Sequence, residues 1–124
     1  MTEKKDLTVL IVDDEPDLLE LIEDEFKMAG YKTLSAKSGN EAIKVLNKHT
    51  VDFIVSDYKM PDGNGLNVLN FSKTLPVKPV FFFVSGQADM STESMIEQGA
   101  RKFFSKPFDL DELIKEIEKE MGII

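Results

Sequence analysis

Five short strand-like runs alternate with five helix-like stretches along this chain, and that alternation constrains the fold more than any other feature. Thr8–Val12 (TVLIV) is apolar on both alternating faces, as a parallel strand covered by helices on each side must be. Pro16 suits a helical first turn, and Leu18, Leu19, Leu21, Ile22 and Phe26 follow at helical spacing until Gly30 stops them. Lys32–Ala36 is a weaker strand. Ser38 and Glu41 predict a capping box for a second helix with Ala42, Ile43, Val45 and Leu46 inward. Residues 51–57 (VDFIVSD) form a strand that stops at a carboxylate before the turn residues Pro61, Asp62 and Gly63. A helix is expected over 66–75. A fourth strand covers 80–84 (VFFFV). In the stretch 87–99, Thr92 with Met95, Ile96 and Ala100 suggests a short helix of weak amphipathicity, and Lys102–Ser105 is the last strand. Asp109 with Glu112 predicts a second capping box, opening a helix with Leu110, Leu113, Ile114, Ile117 and Met121 as its stripe. Strictly alternating strands and helices call for an α/β domain, a five-stranded parallel sheet doubly wound with helices on both faces. Right-handed crossovers leave few ways to connect it.

The 124 residues are expected to form a single domain, 1–124, because they suffice for one compact core and not for two. With 42% hydrophobic and 31% charged residues the composition is globular. The absence of cysteine excludes disulfides and thiolate-bound metals. No run approaches membrane-spanning length and the first ten residues lack the apolar core of a signal peptide, so the expected location is the cytoplasm. A net charge of -8 with no basic stripe argues against direct binding to nucleic acid.

In an open α/β sheet, ligands bind outside the carboxyl ends of the strands. The first strand delivers Asp13 and Asp14 there, the third Asp57, the fourth Ser85 and the fifth Lys106, while the second ends at Ala36 and Lys37 with nothing to offer. Each residue alone has an ordinary explanation. Asp14 before Pro16 reads as a helix cap, Asp57 as a turn former, Ser85-Gly86 as a turn and Lys106 as a surface lysine. Independent caps and turns have no reason to gather three carboxylates, a hydroxyl and an ammonium at one edge. Clustered carboxylates repel one another, so some should bind a cation or take up a proton. Mg²⁺, a hard cation that takes oxygen ligands, fits them. The sole histidine, His49, lies far from the cluster in sequence and reads as a surface residue. A carboxylate beside a cation, a lysine and a hydroxyl suits attack on phosphorus to give an acyl phosphate, with the cationic groups stabilising the transferring oxygens.

Asp13-Asp14, Asp57 with Met60-Pro61-Asp62-Gly63, Ser85-Gly86 and Lys106-Pro107-Phe108 together resemble the receiver domain of two-component response regulators, over nearly the whole chain. The resemblance implies the flavodoxin-like strand order 2-1-3-4-5. It implies Asp57 as the phosphoacceptor, served by a sensor histidine kinase or phosphotransfer protein. It implies that Asp14, Asp57 and the Lys59 backbone carbonyl ligate Mg²⁺, with Asp13 acting through a metal-bound water. Ser85 and Lys106 would contact the phosphoryl group, and the Lys106-Pro107 bond would be cis. Phe103 stands at the family's aromatic switch position, with a plain core residue as its equal alternative. Lys59 and Gln87 stand where the family tunes phosphoryl lifetime. The output implied is a changed affinity of the fourth-helix, last-strand and last-helix face for a downstream effector, and some members dimerise there. The domain would catalyse only its own phosphorylation and dephosphorylation. Two rivals remain at this point. One is a Mg²⁺-dependent phosphohydrolase with an aspartyl-phosphate intermediate, for which the chain lacks room for a substrate-covering cap. The other is a degenerate receiver that only docks, against which the complete residue set argues.

Overall fold

The computed structural model describes residues 4–86, 92–106 and 108–123; the side chains of Ser85 and Thr92 lie outside that description, as do Gln87 and Pro107. The elements run β1 (Thr8–Val12), α1 (Pro16–Met28), β2 (Lys32–Ala36), α2 (Gly39–Lys48), β3 (Phe53–Asp57), α3 (Gly65–Ser72), β4 (Val80–Ser85), α4 (Thr92–Glu97), β5 (Lys102–Ser105) and α5 (Leu110–Met121). All strand pairs are parallel, in the order β2-β1-β3-β4-β5, the flavodoxin-like order expected.

Strand composition follows position in the sheet. β3 is buried at every residue and β1 at all but Thr8, which is why they read as unbroken apolar runs. The edge strands β2 and β5 are mostly half-exposed, and their sequences are mixed. Alternation then divides the core. Val9, Ile11, Phe53, Val55, Phe82 and Val84 face α1 and α5, where Leu19, Ile22, Phe26, Leu113, Ile114 and Ile117 meet them. Leu10, Val12, Ile54, Phe81 and Phe83 face the other way, onto Ala42, Leu46, Val68, Leu69 and Met95 of α2, α3 and α4.

Several local expectations need correction. Neither predicted capping box closes on both sides. Ser38 Oγ accepts the Glu41 amide, and Asp109 Oδ1 accepts those of Asp111 and Glu112, without a return bond. The reciprocal box sits on α3 instead, between Asn64 and Asn67. Asp14 is not the cap of α1; Glu15 holds that position, with no side-chain bond to the helix. Helix α3 starts at Gly65 and stops at Ser72 rather than spanning 66–75. Ser72 and Thr74 turn their hydroxyls back onto the Leu69 and Phe71 carbonyls, which competes with helical continuation. Leu21, placed inward by spacing, is 50% exposed, because the buried face of α1 is made by Leu19, Ile22 and Phe26 and Leu21 lies off it.

Far from the strand ends, Tyr31 Oη donates to Glu118 Oε2 at 2.6 Å, and Lys4 Nζ reaches the same oxygen at 2.9 Å. Burial first, then the hydrogen bond to Glu118 and its charge, push the Tyr31 hydroxyl far above its ordinary pKa, so it remains a donor. This pairing ties α5 to the start of β2.

Candidate functional site

The strand register assembles the site. Val12 pairs with Ser56, Asp57 with Val84, and Ser85 with Ser105. Asp13 therefore leaves β1 level with Asp57. The end of β4 lies one residue further out, and Lys106 two. The structure brings Asp13, Asp14, Asp57 and Lys106 together; it places the backbone of Ser85 beside them and leaves that residue's side chain undescribed.

One carboxylate oxygen from each of Asp13, Asp14 and Asp57 lies within 4.8 Å of the other two. Asp13 is wholly buried and Asp57 nearly so, while Asp14 is the more accessible. Lys106 Nζ stands 3.1 Å from Asp13 Oδ2 and 3.1 Å from Asp57 Oδ2. Burial by itself lowers the Lys106 pKa, and the hydrogen bonds and charges of Asp13 and Asp57 together overcome it and hold the group above its ordinary value. The sign is that of a raised cation: its stabilising contribution is complete below pH 10.5 and is lost as pH rises beyond the folded-state value. At neutral pH Lys106 is an ammonium. One ammonium cannot neutralise three carboxylates in so small a space. The surplus of hard oxygen donors fits a divalent ion such as Mg²⁺, with Asp13, Asp14 and Asp57 as the residues that would hold it.

Local contacts fix the carboxylates. Asp13 Oδ1 accepts the Glu15 amide at 2.9 Å and Asp57 Oδ1 accepts the Tyr58 amide at 2.8 Å. The loop that follows Asp57 closes on itself where the Gly65 amide donates to the Tyr58 carbonyl at 2.7 Å. Gly65 has no room for a side chain. A Cβ there would overlap the Asp57 carbonyl and lie 2.8 Å from Phe83 Cε1. Gly65→Ala is therefore expected to cost about 1–3 kcal/mol in urea unfolding, by displacing the backbone at the end of β3.

Phe103 is half-buried, pairs with Phe83 across β4 and β5, and packs on the α2–α4 side of the core. His49 is exposed at the end of α2, as expected. Two features were missed from sequence. Glu15 Oε1 lies 3.8 Å from Lys106 Nζ, an outer third carboxylate for that ammonium. Asn40 and Asp62 bond across the loop after Asp57. The acidic run at 13–15 carried a signal for the first; nothing local in sequence links 40 to 62.

A family model described as the response regulator receiver domain matches residues 9–118. The sporulation initiation phosphotransferase F of Bacillus subtilis is 33% identical over 117 residues, covering 93% of this chain and 94% of that protein. The Escherichia coli transcriptional regulatory protein GlrR is 32% identical over 111 residues, 89% of this chain and only 25% of that protein. Among solved structures, the receiver domain of Francisella response regulator 1452 aligns with TM-score 0.83 and 26% identity over 94% of this chain and 97% of that one. The Thermotoga maritima response regulator TrrA, solved with Mg²⁺ and BeF, aligns with TM-score 0.80 and 26% identity over 92% of this chain and 98% of that one. The chain belongs to the response regulator receiver domain family. It is a two-component signalling domain, of the class phosphorylated on an aspartate. Among the described residues no helix is long and apolar enough to cross a membrane.

Proposed function

We propose that the chain acts as a single receiver domain that takes a phosphoryl group onto Asp57 from a sensor histidine kinase or a phosphotransfer protein. The observation that carries this reading is Lys106 bridging Asp13 and Asp57 inside a cluster of three carboxylates. An Asp57 carboxylate oxygen forms the new bond to phosphorus as the bond to the donor's imidazole nitrogen breaks and its electron pair stays with the imidazole. Tyr58 N–H holds one Asp57 oxygen and so fixes the carboxylate plane for that attack. Lys106, within reach of the other oxygen, follows the charge onto the phosphoryl group. Asp13, Asp14, Asp57 and the Lys59 backbone carbonyl would hold Mg²⁺, Asp13 through a water, and the ion would supply positive charge against the carboxylates and the phosphoryl oxygens. Ser85, one residue beyond the Asp57 partner Val84, donates to the same group.

Phosphorylation consumes the contact between Lys106 and Asp57 as it stands. We read the output as a shift of α4, β5 and α5 between two arrangements that differ in affinity for an effector, with Phe103 changing its burial. The Lys102–Glu116 pair at 2.9 Å links β5 to α5 at the surface of this face. The domain's chemistry is confined to its own phosphorylation and dephosphorylation, and its setting is the cytoplasm.

Intact mass after incubation with Mg²⁺ and acetyl phosphate tests the reading. A single phosphoryl adduct is expected, lost with a chelator and mapped to the peptide holding Asp57. No adduct on the folded chain, with no Mg²⁺ binding, would leave a docking module in its place.

A further inference from the structure

The loop from Asp57 to α3 is pinned at two points. Its base is closed by the Gly65 amide on the Tyr58 carbonyl. Its tip is held by the first turn of α2, which belongs to a different crossover. There the Gly39 amide donates to the Gly63 carbonyl at 2.9 Å, the Asn40 amide to the Asp62 carbonyl at 3.1 Å, and Asn40 Nδ2 to Asp62 Oδ1 at 2.7 Å. The two backbones approach so closely that a Cβ on Gly39 would overlap the Gly63 carbonyl. Two amides at the start of α2 are thereby satisfied by loop carbonyls, beside the Glu41 amide that Ser38 caps. Between base and tip lie Lys59 and Met60, and Met60 is buried in the α2–α4 side of the core.

We propose that Asn40 and Asp62 are positioning residues, a latch by which α2 sets the Lys59 carbonyl at the phosphoryl site. Neither side chain touches the acceptor. Their bond fixes the loop tip, and the closed base leaves Lys59 little freedom between two anchors. Opening the latch loosens one oxygen donor out of a set that needs all of them placed together. The inference rests on the proposed role of Lys59 at the Mg²⁺ site.

The test is Mg²⁺ affinity by calorimetry on the native chain, on Asn40→Asp, and on Asn40→Asp with Asp62→Asn. Asn40→Asp removes the donor and sets two carboxylates face to face. The double variant restores the bond with donor and acceptor exchanged and returns the native net charge. Added negative charge alone would tighten cation binding, so weakening in the single variant reports the loop. The expected result is about three- to tenfold weaker Mg²⁺ binding in Asn40→Asp. Recovery in the double variant is expected, along with an unchanged final extent of acetyl phosphate labelling at saturating Mg²⁺. Amide hydrogen exchange at Gly39, Asn40 and Gly65 should accelerate in the single variant alone. Equal or tighter Mg²⁺ binding in Asn40→Asp, or a double variant as weak as the single, overturns the latch. A native chain that binds no Mg²⁺ overturns the underlying site reading instead.

Discussion

Asp57→Asn is expected to form no phosphoryl adduct with acetyl phosphate under any Mg²⁺ concentration, yet to fold and to melt at the native temperature or a little above it. The first half follows from chemistry, because a neutral amide oxygen does not displace a leaving group from phosphorus as a carboxylate does. The second half is a contest of charges. Asp57 lies within 4.8 Å of both Asp13 and Asp14, and at an effective dielectric near 20 each repulsion is worth about 3–4 kcal/mol. Its attraction to Lys106 at 3.1 Å is worth about 5 kcal/mol on the same scale. Two repulsions slightly outweigh one attraction, and relief of burying a charge adds in the same direction. Asparagine keeps the shape and can still accept the Tyr58 amide, and Lys106 keeps Asp13. The gain should be visible in metal-free buffer at low salt and should shrink as salt rises. Mg²⁺ should then raise the melting temperature of the native chain more than that of the variant. A phosphoryl adduct persisting in Asp57→Asn would refute the acceptor assignment. A marked loss of stability without metal would show that the Lys106 attraction dominates the cluster.

The same electrostatics explain which parts of the site were legible in sequence. A carboxylate directly after a buried strand has only one place to go, the open end of the sheet. Asp13, Asp57 and Lys106 could thus be brought together without coordinates. The adjacent pair Asp13 and Asp14 could not be told apart by position alone. The fold separates them, with Asp13 buried on Lys106 and Asp14 toward solvent. The central strands were legible for a related reason, since two-sided burial forces an unbroken apolar run, while β2 and β5 read weakly because they are edges. What failed was set by contacts of long sequence separation or by competition within a turn. The two predicted capping boxes lost their return bonds, α3 ended early at its hydroxyl residues, and Leu21 fell outside the core because spacing gives a face but not its width. The Asn40–Asp62 bond spans two crossovers, and no periodicity announces it.

Phe53→Ala is the change in the core expected to matter most. Phe53 is fully buried on β3, four residues before the acceptor, with Phe26, Tyr31 and Phe82 rings centred 5.9, 5.5 and 6.4 Å away. Those partners come from α1, the start of β2 and β4, so no single element can relax into the space. Removing the ring is expected to cost about 3–5 kcal/mol, read from the urea midpoint at neutral pH without metal. At the lower end of the about 5–15 kcal/mol typical of a whole domain, that loss leaves a measurable unfolded fraction. Phe53→Leu, which keeps most of the volume, should lose much less. A ligand that binds the folded state alone adds about 2.7 kcal/mol at about 100-fold above its dissociation constant, and Mg²⁺ at that excess should return as much. Phosphorylation of Phe53→Ala should accordingly be poor at low Mg²⁺ and approach the native extent at high Mg²⁺, in contrast to Asp57→Asn, which no metal concentration restores. A Phe53→Ala chain that stays folded and unlabelled at saturating Mg²⁺ would mean that packing beneath β3 sets the geometry of the acceptor itself, beyond holding the strand in place.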